Sequence, residues 1–413
     1  MRAGASKRDV TVPELLGNPN VHDPLFARVL VLDDGTNSAA IVCLDMVWPS
    51  FPEIREKIKR QLGISLTLVN CNHTHSDARG EHDEKWKKTV GQSIYEMVEE
   101  AYTNRVPVTL RAGRASVQLG DNRYGRDFTQ EVVPWVNVLA VHTKDDKQLA
   151  ILFEHAAHPV VTLECGALSA DYPAYTIARI NEEFGNEVIP MFAQGCGGTV
   201  NAEPVGFTVE SGWHENAEKA GRQLGEAVIA AIHDSVEIKA DTLKIRSKTV
   251  TLPLRVPSME QWEKQIRDLQ DERSDDTTAI DALHTVKGII ERGEQPGLTY
   301  CINAVMLGSE WLLVTMAGDV FGEYELFVNA YAPFNHDMTF GYTNSREGED
   351  DHEHYILTDK AIALSIRKPD RAQTSCRDAL RVIKASTHEN VRLPYAVGIE
   401  AIIHEAIKSL WAE

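Results

Sequence analysis

Three segments of the chain share one pattern of apolar and polar positions. In each, an apolar run, a short polar turn and a second apolar run follow one another, as in VLVLDDGTNSAAIVCLD, NVLAVHTKDDKQLAILFEHAAH and NAVMLGSEWLLVTMAGD. This pattern predicts β-hairpins. Near-continuous Val, Ile and Leu runs are typical of strands covered on both faces. The runs LTLVNCNHTH and EVIPMFAQ predict two further strands.

Apolar residues at helical spacing predict helices between the strands, for example the stripe of Trp86, Val90, Ile94 and Val98. Interleaved hairpins and helices predict an α/β fold with mixed β-sheet layers and flanking helices. Residues 257–297 are charge-rich, carry two apolar stripes and predict an inserted helical hairpin. This hairpin is either a packed surface excursion or a lid over a site. We expect residues 1–413 to form one domain.

The amino-acid composition limits which partners the protein is expected to bind and which compartment it is expected to occupy. The 413 residues include 42 Lys and Arg against 61 Asp and Glu, a net charge of −19. Such a surface repels nucleic acid and anionic lipid. No apolar run is long enough to span a membrane, and we expect no signal peptide. Six scattered cysteines without a CxxC motif suggest thiols in a reducing compartment. We therefore expect a cytoplasmic protein with a small-molecule substrate and leave a homo-oligomer open.

Polar residues follow the ends of several predicted strands. His73 and His75 follow one strand, and His158, Asp319 and Asp45 follow three others. Because ligands bind outside the carboxyl ends of strands in α/β folds, these side chains predict a shared metal site. In an extended HxH segment both imidazoles share a face and suit one Zn²⁺. The alternative is a set of hydrogen-bonded loop histidines.

The neighbouring His155 and His158 would face opposite ways on a continuing strand, so one metal would take one of them. The proline after His158 favours extended backbone there, and we expect His158 to be the ligand. A satisfied core histidine is the alternative interpretation of His158.

Two further segments have open interpretations. In FAQGCGGTVNAEP the glycines form either a tight turn or a set of N–H donors for an oxyanion. The acidic run 350–355, DDHEHY, is either a solvated loop or a contribution to a metal site. Neither an HExxH nor a GxSxG motif is present, which argues against thermolysin-like and α/β-hydrolase sites. A cysteine nucleophile, Cys71 or Cys196, is a minor alternative.

The motifs together resemble the neutral/alkaline, non-lysosomal ceramidase family. NCNHTHS is similar to the family's THTHS segment, and HPVVTLECGALSADYPAY to its HP…S-x-D-x-x-G stretch. Similar stretches are FAQGCGGTVNAEP, VMLGSEWLLVTMAGDVFGEYE and FGYTN followed by HYILT. Their order is preserved over most of the chain. The resemblance implies a ceramidase-like catalytic domain that hydrolyses an N-acyl amide bond with zinc.

Carried over motif by motif, the resemblance implies roles for individual residues. The metal ligands would be His73, His158, Asp319 and Tyr355, with Glu323 as the reserve carboxylate. His75 would handle a proton, Asp171 would lie near the metal, and Arg123 would contact substrate. Substrate contacts would also come from Gly197, Asn201 and Tyr342.

Departures from the family pattern change the expected substrate. The family glutamate is Asp319 here, a Gly-Asp becomes Gly198-Thr199, and the family serine aligns with Asn201. We expect neither the family's C-terminal immunoglobulin-like domain nor its secretion signal. A small polar substrate therefore fits this acidic chain better than a lipid amide. The alternatives are a metal-dependent lactonase or esterase acting on a sugar-acid-like metabolite, and a degenerate, non-catalytic ligand-binding protein.

Overall fold

The structure is a computed structural model that describes residues 1–15, 19–47, 51–77, 84–123, 132–271, 277–344, 355–367, 386–388 and 391–412. The strands are β1 (Arg2–Asp9), β2 (Phe26–Asp33), β3 (Ser38–Leu44), β4 (Leu66–Cys71), β5 (Val106–Ser116), β6 (Gly120–Asn122), β7 (Trp135–Thr143), β8 (Gln148–His155), β9 (Ile189–Gln194), β10 (Val200–Ala202), β11 (Val236–Ile238), β12 (Leu243–Pro253), β13 (Gly297–Leu307), β14 (Trp311–Met316), β15 (Asp319–Val320), β16 (His336–Phe340), β17 (Tyr355–Ile356), β18 (Ser386–His388) and β19 (Val391–Leu393). The α-helices are α1 (Pro52–Leu62), α2 (Glu84–Thr103), α3 (Tyr172–Phe184), α4 (Trp213–His233), α5 (Met259–Asp271), α6 (Thr277–Arg292), α7 (Gly322–Tyr331), α8 (Asp359–Arg367) and α9 (Ile399–Ser409).

The larger sheet has the strand order β4-β3-β2-β1-β5-β7-β8-β9, with β11 paired to β5. Its two outermost pairs, β3 with β4 and β8 with β9, are parallel. The smaller sheet has the order β12-β13-β14-β16. The predicted hairpins are confirmed as the antiparallel pairs β2–β3, β7–β8 and β13–β14. The two further predicted strands are β4 and β9.

The two sheets stack face to face between layers of helices. Their shared core includes Leu30 and Leu139 from the larger sheet and Val305 and Leu313 from the smaller. The opposite face of the larger sheet is covered by α1 and α2 over one half and by α3 and α4 over the other. Apolar residues of α6, α7 and α9 cover the far side of the smaller sheet. Both faces of each sheet are therefore buried, which explains the continuous apolar runs.

The helices α5 and α6 connect β12 to β13, which pair directly with each other. Trp262 of α5 and Ile289 of α6 belong to the core cluster of the smaller sheet, together with Leu252 and Tyr300. The Trp262 indole Nε1 also donates a hydrogen bond to the Leu283 carbonyl. The two helices thus add apolar cover to the smaller sheet. In the described part of the chain, no helix combines the length and apolar character needed to cross a bilayer.

Asn70 joins the carboxyl ends of strands from both sheets. Its Oδ1 accepts a hydrogen bond from the Gln194 amide at the end of β9. Its Nδ2 donates to the Gly341 carbonyl and to Thr343 Oγ1, just after β16. The three chain segments that Asn70 joins lie at the edge of the polar region described next.

Candidate metal centre

Three imidazoles converge where β4 and β8 end. Among the described residues, His73, His75 and His158 form a group whose possible ligand atoms all lie within 4.8 Å of one another. The Nε2 atoms of His75 and His158 are 2.9 Å apart. His73 and His158 are buried, and His75 is half-buried. Such a cluster of converging ring nitrogens is suited to a divalent cation.

The local conformation around His73 differs from the expected extended one. Strand β4 ends at Cys71, and His73 has a φ of 63°, in the left-handed region. The alternation argument for the HxH segment is therefore wrong, although both rings do meet. The loop after β3 fixes His73 instead, because the His73 amide bonds the Met46 carbonyl and the ring Nδ1 lies 2.6 Å from the Val47 carbonyl. Since a carbonyl can only accept, Nδ1 carries the proton and Nε2 offers its lone pair.

Asp45, one of the strand-end residues, has a structural role next to this loop. Its Oδ2 accepts hydrogen bonds from Arg28 Nη1 and the Phe26 amide, and its Oδ1 accepts one from Asn72 Nδ2. The ion pair with Arg28 is buried. Asp45 therefore fixes the residue before His73 and has its hydrogen bonds within the fold.

Strand β8 ends at His155, and His158, three residues further on, joins the cluster whereas His155 does not. His158 is paired with β10, because its amide donates to the Val200 carbonyl and its carbonyl accepts from the Ala202 amide. The His155 ring faces away, with Nδ1 2.8 Å from the Trp135 carbonyl. Burial lowers the pKa of His155 to about 4, so its ring is neutral.

A carboxylate and two tyrosines lie beside the imidazoles. Asp319 Oδ1 is 3.6 Å from His73 Nε2 and accepts a hydrogen bond from the Tyr342 hydroxyl at 2.9 Å. Asp319 in β15 is paired in register with Tyr355 in β17. Burial, followed by the charge of Asp319, raises the pKa of Tyr342 well above its usual range, so its phenol remains a donor. Glu323, the reserve carboxylate, lies half-buried in the first turn of α7.

Tyr342, expected to contact substrate, is fully buried. Its ring centroid lies 4.4 Å from that of His73. Its described contacts therefore orient the carboxylate and one imidazole of the cluster.

The glycine-rich segment approaches the same groups with its backbone. A Cβ on Gly198 would lie 2.5 Å from the Asp319 carbonyl oxygen, and one on Gly197 would lie 3.1 Å from the Tyr342 hydroxyl. Neither glycine has a positive φ, so close approach explains them rather than backbone conformation. Thr199 Oγ1 accepts a hydrogen bond from the Gly322 amide at the start of α7. The segment thus packs directly on Asp319 and Tyr342.

Asn201, in β10, forms an isolated bridge with His158. Its Oδ1 is buried and, within the described part of the chain, has no hydrogen-bond partner. A buried acceptor in this position is available to a ligand.

Arg123 also lies next to the cluster. Its amide donates to the Thr199 carbonyl, and its Nη1 lies 3.4 Å from His158 Nδ1. Its guanidinium carbon is 5.6 Å from the ring centroid of Tyr355. A positive charge therefore lies next to the imidazoles and the tyrosine that pairs with Asp319.

Asp171 begins α3 and supports the loop that follows His158. Its Oδ2 accepts from both the amide and the hydroxyl of Thr162, and its Oδ1 from the Tyr172 amide. Burial raises its pKa to about 6 despite these donors. These contacts connect Asp171, expected to lie near the metal, to this loop and to the first turn of α3.

The remaining candidates from the sequence are the acidic run and the two cysteines. Of the run 350–355, only Tyr355 lies among the described residues. Cys71 and Cys196 are both buried. Burial and the neighbouring Glu325 raise the pKa of the Cys196 thiol well above its usual range, so it is not a thiolate nucleophile.

Sequence reasoning missed three buried carboxyl groups near the site: Asp77, Glu154 and Glu325. Asp77 Oδ2 accepts a hydrogen bond from the Val47 amide, and burial raises the Asp77 pKa to about 7. A charged residue within an otherwise apolar strand, as Glu154 is in LAILFEHAA, was the available signal.

Comparison with solved structures identifies the class of fold: a neutral-ceramidase-like α/β architecture. A crystal structure of the neutral ceramidase from Pseudomonas aeruginosa matches with a TM-score of 0.65 and 14% identity, covering 90% of this chain and 71% of that chain. A structure described as ceramidase complexed with C2 matches with a TM-score of 0.63 and 14% identity, covering 88% and 70% respectively. No protein-family profile matches, and neither does any curated protein. The expected fold is confirmed.

Proposed function

We propose that this chain is a metal-dependent hydrolase that cleaves an N-acyl amide bond, or a related carbonyl bond, of a small polar substrate. The observation that carries this proposal is the convergence of His73, His75 and His158 beside Asp319. The two ceramidase structures that share the fold support amide hydrolysis as the reaction class.

The donor set fits Zn²⁺. Imidazole nitrogens and a carboxylate are the ligands that zinc prefers at catalytic sites. The hydrogen bond between His73 Nδ1 and the Val47 carbonyl fixes the ring orientation in the manner usual for metal-binding histidines. The facing Nε2 atoms of His75 and His158 at 2.9 Å also need a proton or a cation between them. When bound there, zinc would activate water and polarise the carbonyl group.

Residues of the chain hold and orient the other participants. Tyr342 fixes Asp319 through its hydroxyl, and Tyr355 lies beside Asp319 as the second oxygen-bearing candidate. Arg123 presents a guanidinium group next to His158, suited to a substrate carboxylate or hydroxyl. Asn201 offers a buried carboxamide oxygen to a substrate N–H. These contacts favour a polar substrate over a long-chain lipid amide.

His75 is either a third imidazole ligand or the group that transfers a proton to the leaving amine. Its Nε2 faces His158 Nε2 within the cluster, and this orientation favours the ligand role. His75→Gln separates the two. Loss of zinc together with activity indicates a ligand, and loss of activity with full zinc content indicates a proton carrier.

The experiment is metal analysis of the purified protein, combined with a panel of N-acyl amino acids, esters and lactones. His73→Ala and His158→Ala should lose both zinc and hydrolysis. His284→Ala, which removes an exposed imidazole from α6, is the matched control and should retain both. If the two cluster variants keep full zinc content and activity, the site assignment is wrong. Hydrolysis of esters or lactones alone would favour the lactonase or esterase alternative.

A ligand-binding protein without catalysis is the second candidate. Asp319, Thr199 and Asn201, which replace family residues, favour it. It predicts purified protein that lacks zinc and hydrolyses none of the panel, but binds a polar amide in calorimetry.

A further inference from the structure

Two glutamate carboxyl groups lie buried behind the glycine-rich segment. Glu154 belongs to β8, just before His158, and Glu325 belongs to α7, just after Asp319. A Cβ on Gly195 would lie 2.2 Å from Glu154 Oε1 and 3.0 Å from Glu325 Oε2. The two carboxyl groups therefore meet at the main chain of Gly195.

The two glutamates receive different numbers of hydrogen bonds. Among the described residues, Glu325 accepts two hydrogen bonds, from Trp135 Nε1 to Oε1 and from the Cys196 amide to Oε2. Glu154 Oε2 accepts one, from Asn137 Nδ2 at 2.8 Å. Glu154 Oε1 has no donor among the described residues, and its neighbour is the other carboxyl group. One proton on Glu154, donated to Glu325, would satisfy both groups.

Nearby positive charge offsets only part of the cost of burying two carboxylates. Arg114 of β5 lowers the pKa of both glutamates, but its effect is smaller than that of burial, and its guanidinium donates to Asn137 Oδ1 and Asp337 Oδ2. The charge of Asp337 further disfavours ionised Glu325. Cys196 interacts electrostatically with both glutamates and Tyr172 with Glu154, and both of these groups are buried and neutral. Like charges buried together cannot both persist without such compensation.

We propose that Glu154 and Glu325 hold one proton between them and act as a positioning pair for the glycine-rich segment that packs on Asp319 and Tyr342. The catalytic consequence rests on the hydrolase function proposed above. The protonation of the pair does not.

The pKa directions agree with this arrangement. Burial raises the pKa of Glu154 well above its ordinary range, and the charge of Glu325 raises it further. Burial raises the pKa of Glu325 to about 7, while the Cys196 amide and the hydrogen bond from Glu154 oppose this rise. Because Glu325 accepts two hydrogen bonds from the described residues and Glu154 accepts one, Glu325 is the better placed of the two to ionise, and Glu154 to keep the proton.

The pair acts on the site through Cys196. The Cys196 amide bonds Glu325, and the next two residues, Gly197 and Gly198, contact the Tyr342 hydroxyl and the Asp319 main chain. A shift at Glu325 would therefore move the segment that lies against the carboxylate of the metal centre.

The test compares Glu154→Gln with Glu325→Gln, using the exposed Glu187→Gln as control. Gln at position 154 can still donate to Glu325 and accept from Asn137. Gln at position 325 has one acceptor oxygen for two donors, so one buried N–H loses its partner. We expect E154Q to keep zinc affinity and kcat near wild type. We expect E325Q to lower zinc affinity and kcat by about tenfold or more, with a smaller effect on KM.

Infrared difference spectroscopy reads the proton directly. Wild type should show the C=O band of a protonated carboxyl group at pH 8, and E154Q should lack it. The shared-proton proposal is wrong if wild type lacks that band, or if the two Gln variants have equal effects. A lower melting temperature of E325Q with unchanged zinc affinity and kcat overturns the positioning role. If no substrate is hydrolysed by wild type, the band and the zinc affinities still decide the inference, and only the proposed function fails.

Discussion

Gly198→Ala tests whether the glycine-rich segment sets the position of Asp319. The new Cβ would lie 2.5 Å from the Asp319 carbonyl oxygen and 2.9 Å from the Val320 carbonyl oxygen. Both neighbours are backbone atoms, so no side chain can rotate away. Ordinary contact begins at 3.4 Å, so the segment or β15 must move by 3.4 − 2.5 = 0.9 Å.

A displacement of this size is large for a metal centre. Asp319 Oδ1 now lies 3.6 Å from His73 Nε2. Misplacing a reacting group by about 1 Å can cost about 10²-fold in rate. Overpacking a buried position costs about 1–3 kcal/mol of stability. We therefore expect Gly198→Ala to remain folded while losing about 10²-fold in kcat/KM and a measurable share of its zinc affinity.

The assay measures melting temperature, zinc affinity and kcat/KM for the same protein samples. Gly288→Ala in α6 is the matched control, because its Cβ would meet only the flexible end of Arg292. That substitution should raise stability by up to about 1 kcal/mol and leave activity unchanged. Wild-type zinc affinity and activity in folded Gly198→Ala would refute the proposed dependence of the metal centre on this contact.

Three further predictions follow from the same contacts. Tyr342→Phe removes the hydroxyl that bonds Asp319 and should weaken zinc binding by about 10-fold, measured by competition with a chelator. Asn70→Ala removes the side chain that joins three strand ends and should lower the free energy of unfolding by about 2–4 kcal/mol in urea titrations. Because the pKa of Glu325 is raised, folded protein binds its proton more tightly than unfolded protein, so the stability of wild type relative to Glu325→Gln should fall as pH rises from about 4.5 towards 7. A relative stability that rises over that range would contradict the assignment.

Local patterns in the sequence were enough to predict the strands and helices that frame the site. Periodicity and turn residues predicted the hairpins and the helical pair α5–α6. They also predicted the strand ends that bear His73, His158 and Asp319. The resemblance to ceramidases agreed with the fold that the solved structures share. These features depend on short stretches of chain.

Contacts between distant segments could not be predicted in this way. The left-handed conformation of His73 depends on carbonyl groups of the loop after β3. The meeting of Glu154 with Glu325 depends on how α7 packs beside β16 and the glycine-rich segment. The hydroxyl of Tyr342 reaches Asp319 only because β14 and β16 are neighbours. No periodic pattern encodes these pairings.

Anomalous diffraction at the zinc edge, from crystals of protein purified without chelator, tests the central claim most directly. We predict one strong peak about 2.0–2.1 Å from ring nitrogens of His73 and His158, with an oxygen of Asp319 among its neighbours. A map without a peak among these side chains, from protein that nevertheless hydrolyses the amide panel, would contradict the metal-dependent mechanism.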